Sequence, residues 1–222
     1  HVHKYIYDTD GRMIMSRRSL AHYQDRYPFL ARVERWLHKH MAVVTANSEA
    51  IRGELLEEGI PEHRTRVILN GVDTNAIRPD AARGARLRQS LTIPPDSLVL
   101  MIVANLIPYK GHADLITALA SIRDALPDNW QLLCVGRDDG IGGALQAQSA
   151  EAGLAPHIRF LGSRSDIPAL LSMADVSLLC SHEEGLPNAV IEAMSAGVPT
   201  IATKVGGTGE IIDHGVTGLL VP

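Results

Sequence analysis

From Leu98 onward, short apolar runs alternate with segments of helical spacing, and few folds accommodate that pattern. Apolar runs near 98–104, 131–135, 158–161, 176–180, 199–202 and 217–221 have the length and composition of strands buried on both faces. Between them, helices are expected near 111–125, 142–152, 166–174, 187–197 and 208–213. Strand and helix in strict succession require parallel strands joined by right-handed crossovers, hence an α/β, doubly wound parallel sheet. Ligands of such sheets sit beyond the carboxyl ends of the strands. The residues that follow each apolar run are therefore the ones to inspect for chemistry.

Composition narrows the class. The 222 residues are 45% hydrophobic and only 4% aromatic, so Leu, Ile, Val and Ala must build the core. A net charge of −4 argues against a nucleic-acid binder. The charge is uneven: residues 1–40 carry eight Lys/Arg, four Asp/Glu and five of the ten His, a balance unlike the rest. Cys134 and Cys180 both fall in apolar runs, which reads as buried thiols in a reducing compartment. The longest apolar run, Leu98 to Ala104, is far too short to span a bilayer.

Ahead of the alternation the signals are local. Asp8-Thr9-Asp10 is an acid-x-acid pattern of the kind that binds divalent metals, but Gly11 makes an ordinary turn the better reading. Met13–Met15 reads as a short strand. Pro28 opens a helix with Phe29, Leu30, Val33, Trp36, Leu37 and Met41 on one side and Arg32, Arg35, His38 and Lys39 on the other. That pattern fits a core-packed helix with a solvated basic face, or contact with a membrane surface or anionic acceptor. Ala42–Ala46 and Val67–Leu69 read as strands. Between them Ser48 caps a helix that ends near Gly59, and Asn70-Gly71-Val72-Asp73 is a turn. Residues 76–97 read as a linker with a polar helix from Ala82 to Leu91.

The most informative stretch is Ser181 to Ala202. Pro187 suits a first helical turn, and Gly197 and Pro199 stop the helix. Between Gly185 and Thr203 the only charged side chain is Glu192, and a carboxylate in an apolar helix needs a partner. Glu184 stands eight residues earlier, where the helix start offers free amides. Two readings are open on these grounds: local pairing of Glu192 with a solvated Glu184, or a ligand rich in hydroxyls gripped by both acids. Lys110, at the opening of a helix, faces an unfavourable dipole that a bound anion would reverse.

Glu184-x7-Glu192, within Glu-Gly-Leu-Pro-Asn…Glu-Ala-Met-Ser-Ala-Gly-Val-Pro-Thr, resembles the motif of family 4 retaining glycosyltransferases of the GT-B fold. Asn105…Lys110-Gly111 is similar to that family's Arg-x4-Lys-Gly, with Asn105 where an Arg usually stands. The resemblance covers roughly residues 16–222. It implies a GT-B-like architecture: residues 1–75 as the end of an N-terminal, acceptor-side Rossmann-like domain, 76–97 as linker, and 98–222 as a Rossmann-like donor domain lacking its final helix. The chain begins with His1 and stops after a strand pattern, so it reads as truncated at both ends, with weak donor binding and little transfer expected.

The resemblance further implies a nucleotide-diphosphate sugar as donor. Lys110 would neutralise the leaving diphosphate and Glu184 would contact the sugar as the second catalytic residue. Asn105, Gly136, Arg137, Gly162, Gly185, Leu186, Asn188 and Glu192 would complete the donor site, Glu192 on the ribose hydroxyls. No metal or other cofactor is expected, and the acceptor would be a glycan, lipid or small molecule. A cytoplasmic location is expected, with peripheral contact at the inner face of the membrane. Two other readings stay open: a GT-B nucleotide-sugar isomerase such as an epimerase, and a non-catalytic nucleotide-sugar binder.

Overall fold

The computed structural model describes residues 4–7, 13–20 and 27–222. Asp8-Thr9-Asp10 lies outside the described residues. The chain divides into two units. The smaller comprises residues 1–71 with 183–187 and 205–211, and the larger comprises 72–182, 188–204 and 212–222.

In the smaller unit, β1 (Lys4–Tyr7), β2 (Met13–Arg17), β3 (Val43–Ala46) and β4 (Thr65–Val67) form a sheet in that order. β1 and β2 are antiparallel; the other pairs are parallel. Helix α1 (Pro28–His38) lies between β2 and β3, and α2 (Glu49–Glu57) between β3 and β4. Pro28 opens α1, where the missing N–H costs nothing. Ser48 caps α2 by accepting the Ile51 N–H at 3.2 Å. The core of this unit is Met15, Met41, Val44, Ala46, Ile51, Leu55 and Ile60.

Helix α1 departs in part from the core-packed reading of its apolar side: Leu37 and Met41 pack on the core, the others do not. Phe29 is 76% and Trp36 60% exposed, with Leu30 and Val33 also exposed, while Ala31 and His38 are buried. A polar cluster accompanies this orientation. His38 is drawn under the helix, Nδ1 3.4 Å from Glu58 Oε2 and Nε2 3.7 Å from Glu34 Oε1. Glu58 also takes Nη1 of the buried Arg17 at 2.5 Å, while Arg32, Arg35 and Lys39 stay exposed beside the aromatic residues. Burial works against the Glu58 carboxylate, but His38 and Arg17 together hold its pKa below the usual range.

The larger unit opens with α3 (Ala81–Ser90), capped by Asp80, whose carboxylate accepts the Arg83 N–H at 2.9 Å. It continues through β5 (Leu98–Val103), α4 (His112–Ser121), β6 (Trp130–Val135), α5 (Gly142–Glu151), β7 (Ile158–Gly162) and α6 (Ile167–Leu171). Then come β8 (Val176–Leu179), α7 (Asn188–Ser195) and β9 (Thr200–Thr203), and α8 (Thr208–Ile211), which is in the smaller unit, precedes β10 (Leu219–Val221). The strand order is β10-β9-β8-β5-β6-β7, all parallel. Alternate residues of β5 supply two cores. Leu100 and Ile102 pack with Leu115, Ile116 and Leu145, and Val99 and Met101 with Leu170, Ala193 and Val198. Burial on both faces is the physical reason for the unbroken apolar run Leu98–Val103. The chain leaves β5 first toward β6 and β7, then returns to β8 on the other side. Beyond the carboxyl ends of β5 and β8 lies the switch point where doubly wound sheets hold ligands.

Two local expectations need correction, for Pro187 and Cys180. Pro187 immediately precedes α7 and is not inside its first turn. Asp166 stands at the cap position of α6, but its carboxylate caps nothing, because it holds the Arg164 guanidinium at 2.8 and 2.6 Å. Cys180 follows β8 and is only half-buried, whereas Cys134 is buried in β6 with its thiol pushed up to about 12 by burial; both are free. Among the described residues no helix is long and apolar enough to cross a membrane.

Candidate functional site

The carboxyl end of β5 leads into a tight passage. Asn105 follows the strand, and Pro108–Lys110 form one 3-10 turn that ends at Gly111 in the left-handed region, φ +70°. A side chain at Gly111 would run into the Cys180 carbonyl, so only glycine lets the β5–α4 turn lie against the end of β8. The His182 amide donates to the Tyr109 carbonyl at 2.8 Å, and His182 Nε2 meets Asp114 Oδ2 at 2.6 Å. The loops after β5 and β8 are thereby joined at the switch point. Lys110 Nζ sits 5.2 Å from the centre of the Tyr109 ring.

Sequence reasoning missed His112, the first residue of α4. It is 2% exposed, and neither ring nitrogen has a hydrogen-bond partner among the described residues. Burial, and secondarily the nearby Lys110 charge, push its pKa down to about 4, so the ring is neutral at pH 7. Nothing in the spacing of Lys-Gly-His-Ala-Asp signals this.

The ends of β5, β6 and β7 meet at a seam. The Gly136 amide donates to the Gly162 carbonyl at 3.0 Å, and a side chain at Gly136 would run into the Ala104 carbonyl. Asn105 Oδ1 accepts the Arg137 amide at 3.1 Å. Asn105, Gly136, Arg137 and Gly162 are thus brought together. The Arg137 guanidinium is engaged by Asp139 at 2.6 and 3.0 Å, which holds the Asp139 carboxyl below its usual range. Asp138 Oδ1 takes the amides of Gly140, Ile141 and Gly142 at 2.8, 3.1 and 2.9 Å. A protein carboxylate therefore already fills the anion position at the start of α5.

Glu192, in the second turn of α7, is half-buried, and its carboxylate has no hydrogen bond or ion pair among the described residues. Burial raises its pKa with nothing to offset it. The local-pairing reading fails here, and a half-dry carboxylate with open acceptor sites matches neighbouring hydroxyls well. Asn188, at the start of the same helix, is exposed. The larger unit thus holds Asn105, Lys110, Gly136, Arg137, Gly162, Asn188 and Glu192, while Glu184, Gly185 and Leu186 belong to the smaller one. Gly185 and Leu186 are buried and Glu184 is partly exposed. Among the described residues no three His, Cys, Asp or Glu side chains group as metal ligands. An apolar pocket of about 680 Å³ in the larger unit is lined by Gly84, Arg88, Ile93, Met173 and Asp175. It lies toward the amino end of β8, away from the ligand-bearing strand ends.

A six-stranded parallel sheet with this order, and with basic and acidic side chains following the two strands at its switch point, defines a Rossmann-like ligand-binding domain. Residues 85–222 match the family Glycosyl transferases group 1, and residues 1–76 match Glycosyltransferase Family 4. The chain belongs to the group 1 glycosyl transferase family, whose match spans more than half of it. It is 34% identical over 188 residues to the GDP-mannose-dependent α-(1-6)-phosphatidylinositol monomannoside mannosyltransferase of Mycobacterium tuberculosis, covering 81% of this chain and 48% of that protein. It is 33% identical over 193 residues to a D-inositol 3-phosphate glycosyltransferase of Jonesia denitrificans, covering 82% of this chain and 45% of that one. The chain therefore spans about half the length of these relatives. Among solved structures, Anabaena HepE in complex with UDP superposes with a TM-score of 0.86 at 29% identity, covering 96% of this chain and 58% of that one. HepE in complex with UDP-glucose gives a TM-score of 0.79 at 33% identity, covering 86% and 52%.

Proposed function

We propose that this chain supplies the donor-binding part of a retaining glycosyltransferase that moves a sugar from a nucleotide-diphosphate sugar to an acceptor hydroxyl. The observation that carries the reading is Glu192, a half-buried carboxylate with no partner among the described residues, on the helix that follows the switch-point strand. Ribose 2′- and 3′-hydroxyls would donate to it and offset its desolvation. The backbone seam at Asn105, Gly136 and Gly162 is assigned to the nucleobase side, and Arg137 joins it only by leaving Asp139.

In this reading the bond between the sugar's anomeric carbon and the diphosphate oxygen breaks, and its electron pair stays with the diphosphate. The acceptor oxygen bonds to the same face of that carbon and its proton passes to the departing diphosphate. Lys110 offsets charge developing on the leaving group, the kind of electrostatic stabilisation that dominates many catalysed reactions. Glu184 and the amides of Gly185, Leu186 and Asn188 orient the sugar. The scheme calls for no metal. The named activities of the relatives, the complexes of HepE with UDP and UDP-glucose, and the family membership support a nucleotide-sugar partner. A glycan, lipid or small molecule is the acceptor class, and the exposed aromatic and basic surface of α1 favours a site of action at a membrane surface.

The test is calorimetric titration with uridine, guanosine and adenosine diphosphates and their sugars, repeated with Glu192→Gln and Lys110→Ala. One nucleotide series should bind, and each variant should weaken it about tenfold or more. Absence of binding to all three series would remove the reading.

A further inference from the structure

The peptide that carries Glu184 is held by a built arrangement inside the smaller unit. Asn70 is its centre: Nδ2 donates to the Leu186 carbonyl at 3.0 Å, and Oδ1 accepts Arg18 Nη2 at 2.9 Å. The amide can be oriented only one way, because a guanidinium only donates and a carbonyl only accepts. On the other side, the Gly207 amide donates to the Gly185 carbonyl at 2.8 Å. A side chain at Gly206 would run into the Glu184 carbonyl, and one at Gly185 into the Arg18 carbonyl. Backbone this closely packed on two sides leaves the residue between few orientations. The partner of the Leu186 carbonyl lies 116 residues earlier, so this packing is tertiary and not a property of the loop.

We propose that Asn70 is a positioning residue for Glu184: by gripping the Leu186 carbonyl and being gripped by Arg18, it sets the direction in which the Glu184 carboxylate meets the donor sugar. This rests on the role given to Glu184 above. Asn70 touches no substrate itself; it acts through two peptide units of a loop whose geometry decides how the sugar hydroxyls are met. A fixed frame avoids ordering cost at the moment of binding.

Asn70→Asp is the sharp variant. It is isosteric and keeps the Arg18 contact, but turns a carboxylate oxygen toward the Leu186 carbonyl where a donor stood. Asn70→Ser removes both contacts without adding charge and guards against a folding defect, which circular dichroism and thermal melting would report. Affinities are measured by calorimetry for UDP and UDP-glucose, GDP and GDP-mannose, and ADP and ADP-glucose, in the wild type, both Asn70 variants, Glu184→Gln and the Asn70→Asp/Glu184→Gln pair. For the series that binds, Asn70→Asp should weaken the nucleotide sugar roughly tenfold and leave the diphosphate nearly unchanged. In the Glu184→Gln background it should have no further effect, a coupling that a merely structural role would not produce. Equal weakening of diphosphate and sugar, or the same loss with Glu184 already replaced, overturns the positioning role while leaving the donor reading standing. If the wild type binds no member of any series, the donor reading falls and this inference with it.

Discussion

Replacing His112 by Phe should remove most of the acid sensitivity of the larger unit between pH 6.5 and 4. The imidazole is buried with both nitrogens unpartnered among the described residues, and its folded-state pKa is pushed from 6.5 to about 4. Between those values the unfolded chain binds a proton that the folded chain does not, so stability is complete above about pH 6.5 and declines as pH falls toward 4. A shift of roughly 2.5 units at about 1.36 kcal/mol each gives about 3 kcal/mol over the window. In a protein of this size that is a fall in melting temperature of roughly 6–12 °C. The carboxylates held low by their partners (Glu58, Asp138, Asp139, Asp166) start from ordinary values of 3.8 to 4.5, so their losses come at lower pH. Urea unfolding in half-unit steps from pH 7.5 to 4, monitored by circular dichroism, separates the contributions. Phe has similar volume, no proton to gain and no ring nitrogen to leave unpaired, so His112→Phe should be flatter with pH and at least as stable at pH 7. Parallel wild-type and variant curves from pH 6.5 to 4 would refute the argument, because the proton uptake would then belong elsewhere.

Gly111→Ala should destabilise by about 1–3 kcal/mol or more in urea unfolding, since it combines a positive φ with a collision at the Cys180 carbonyl. Glu192→Gln should leave the melting temperature unchanged or slightly raised while weakening the nucleotide series that binds about tenfold or more in calorimetry, because it removes a half-buried charge with no partner among the described residues. The upward shift of Glu192 also means that affinity declines as pH falls through its raised pKa, which titrations at pH 7.5 and 5 would compare. Arg17→Met should cost about 3–5 kcal/mol by leaving Glu58 beside His38 without its guanidinium, read as a lower urea midpoint for the smaller unit. Vesicles containing anionic lipid should blue-shift the emission of exposed Trp36, with buried Trp130 as the internal constant, and neutral vesicles should not; Trp36→Phe removes the change.

What could be read from sequence follows from the range of the forces involved. The run Leu98–Val103 declares itself because a parallel strand buried on both faces has no polar positions to give, and Ser48 and Asp80 declare their helices because capping is completed within three residues. Lys110-Gly111 and Glu184-x7-Glu192 were visible because each is a local pattern, and the structure places Lys110 and Glu192 in the loop and helix that follow the two strands at the switch point. Helix α1 was misread because its amphipathic period is real but its inward face was chosen by partners far along the chain: Glu58 draws His38 under, so Ala31 packs where Phe29 and Trp36 were expected. The same distance hides Glu210, whose carboxylate takes the Glu49 and Ala50 amides at 2.8 Å each from 160 residues away. A helix start already capped by Ser48 gives no sign in its own sequence of needing a second acceptor. His112 is hidden in another way, since Lys-Gly-His-Ala-Asp reads as a polar helix opening and the burial of the ring shows only in the fold. The residues assigned to the donor under the proposed function are legible because chemistry fixes their type. The contacts made by Gly111, Asn70 and Glu210 depend on which backbone comes close, and that is decided only once the sheets have formed.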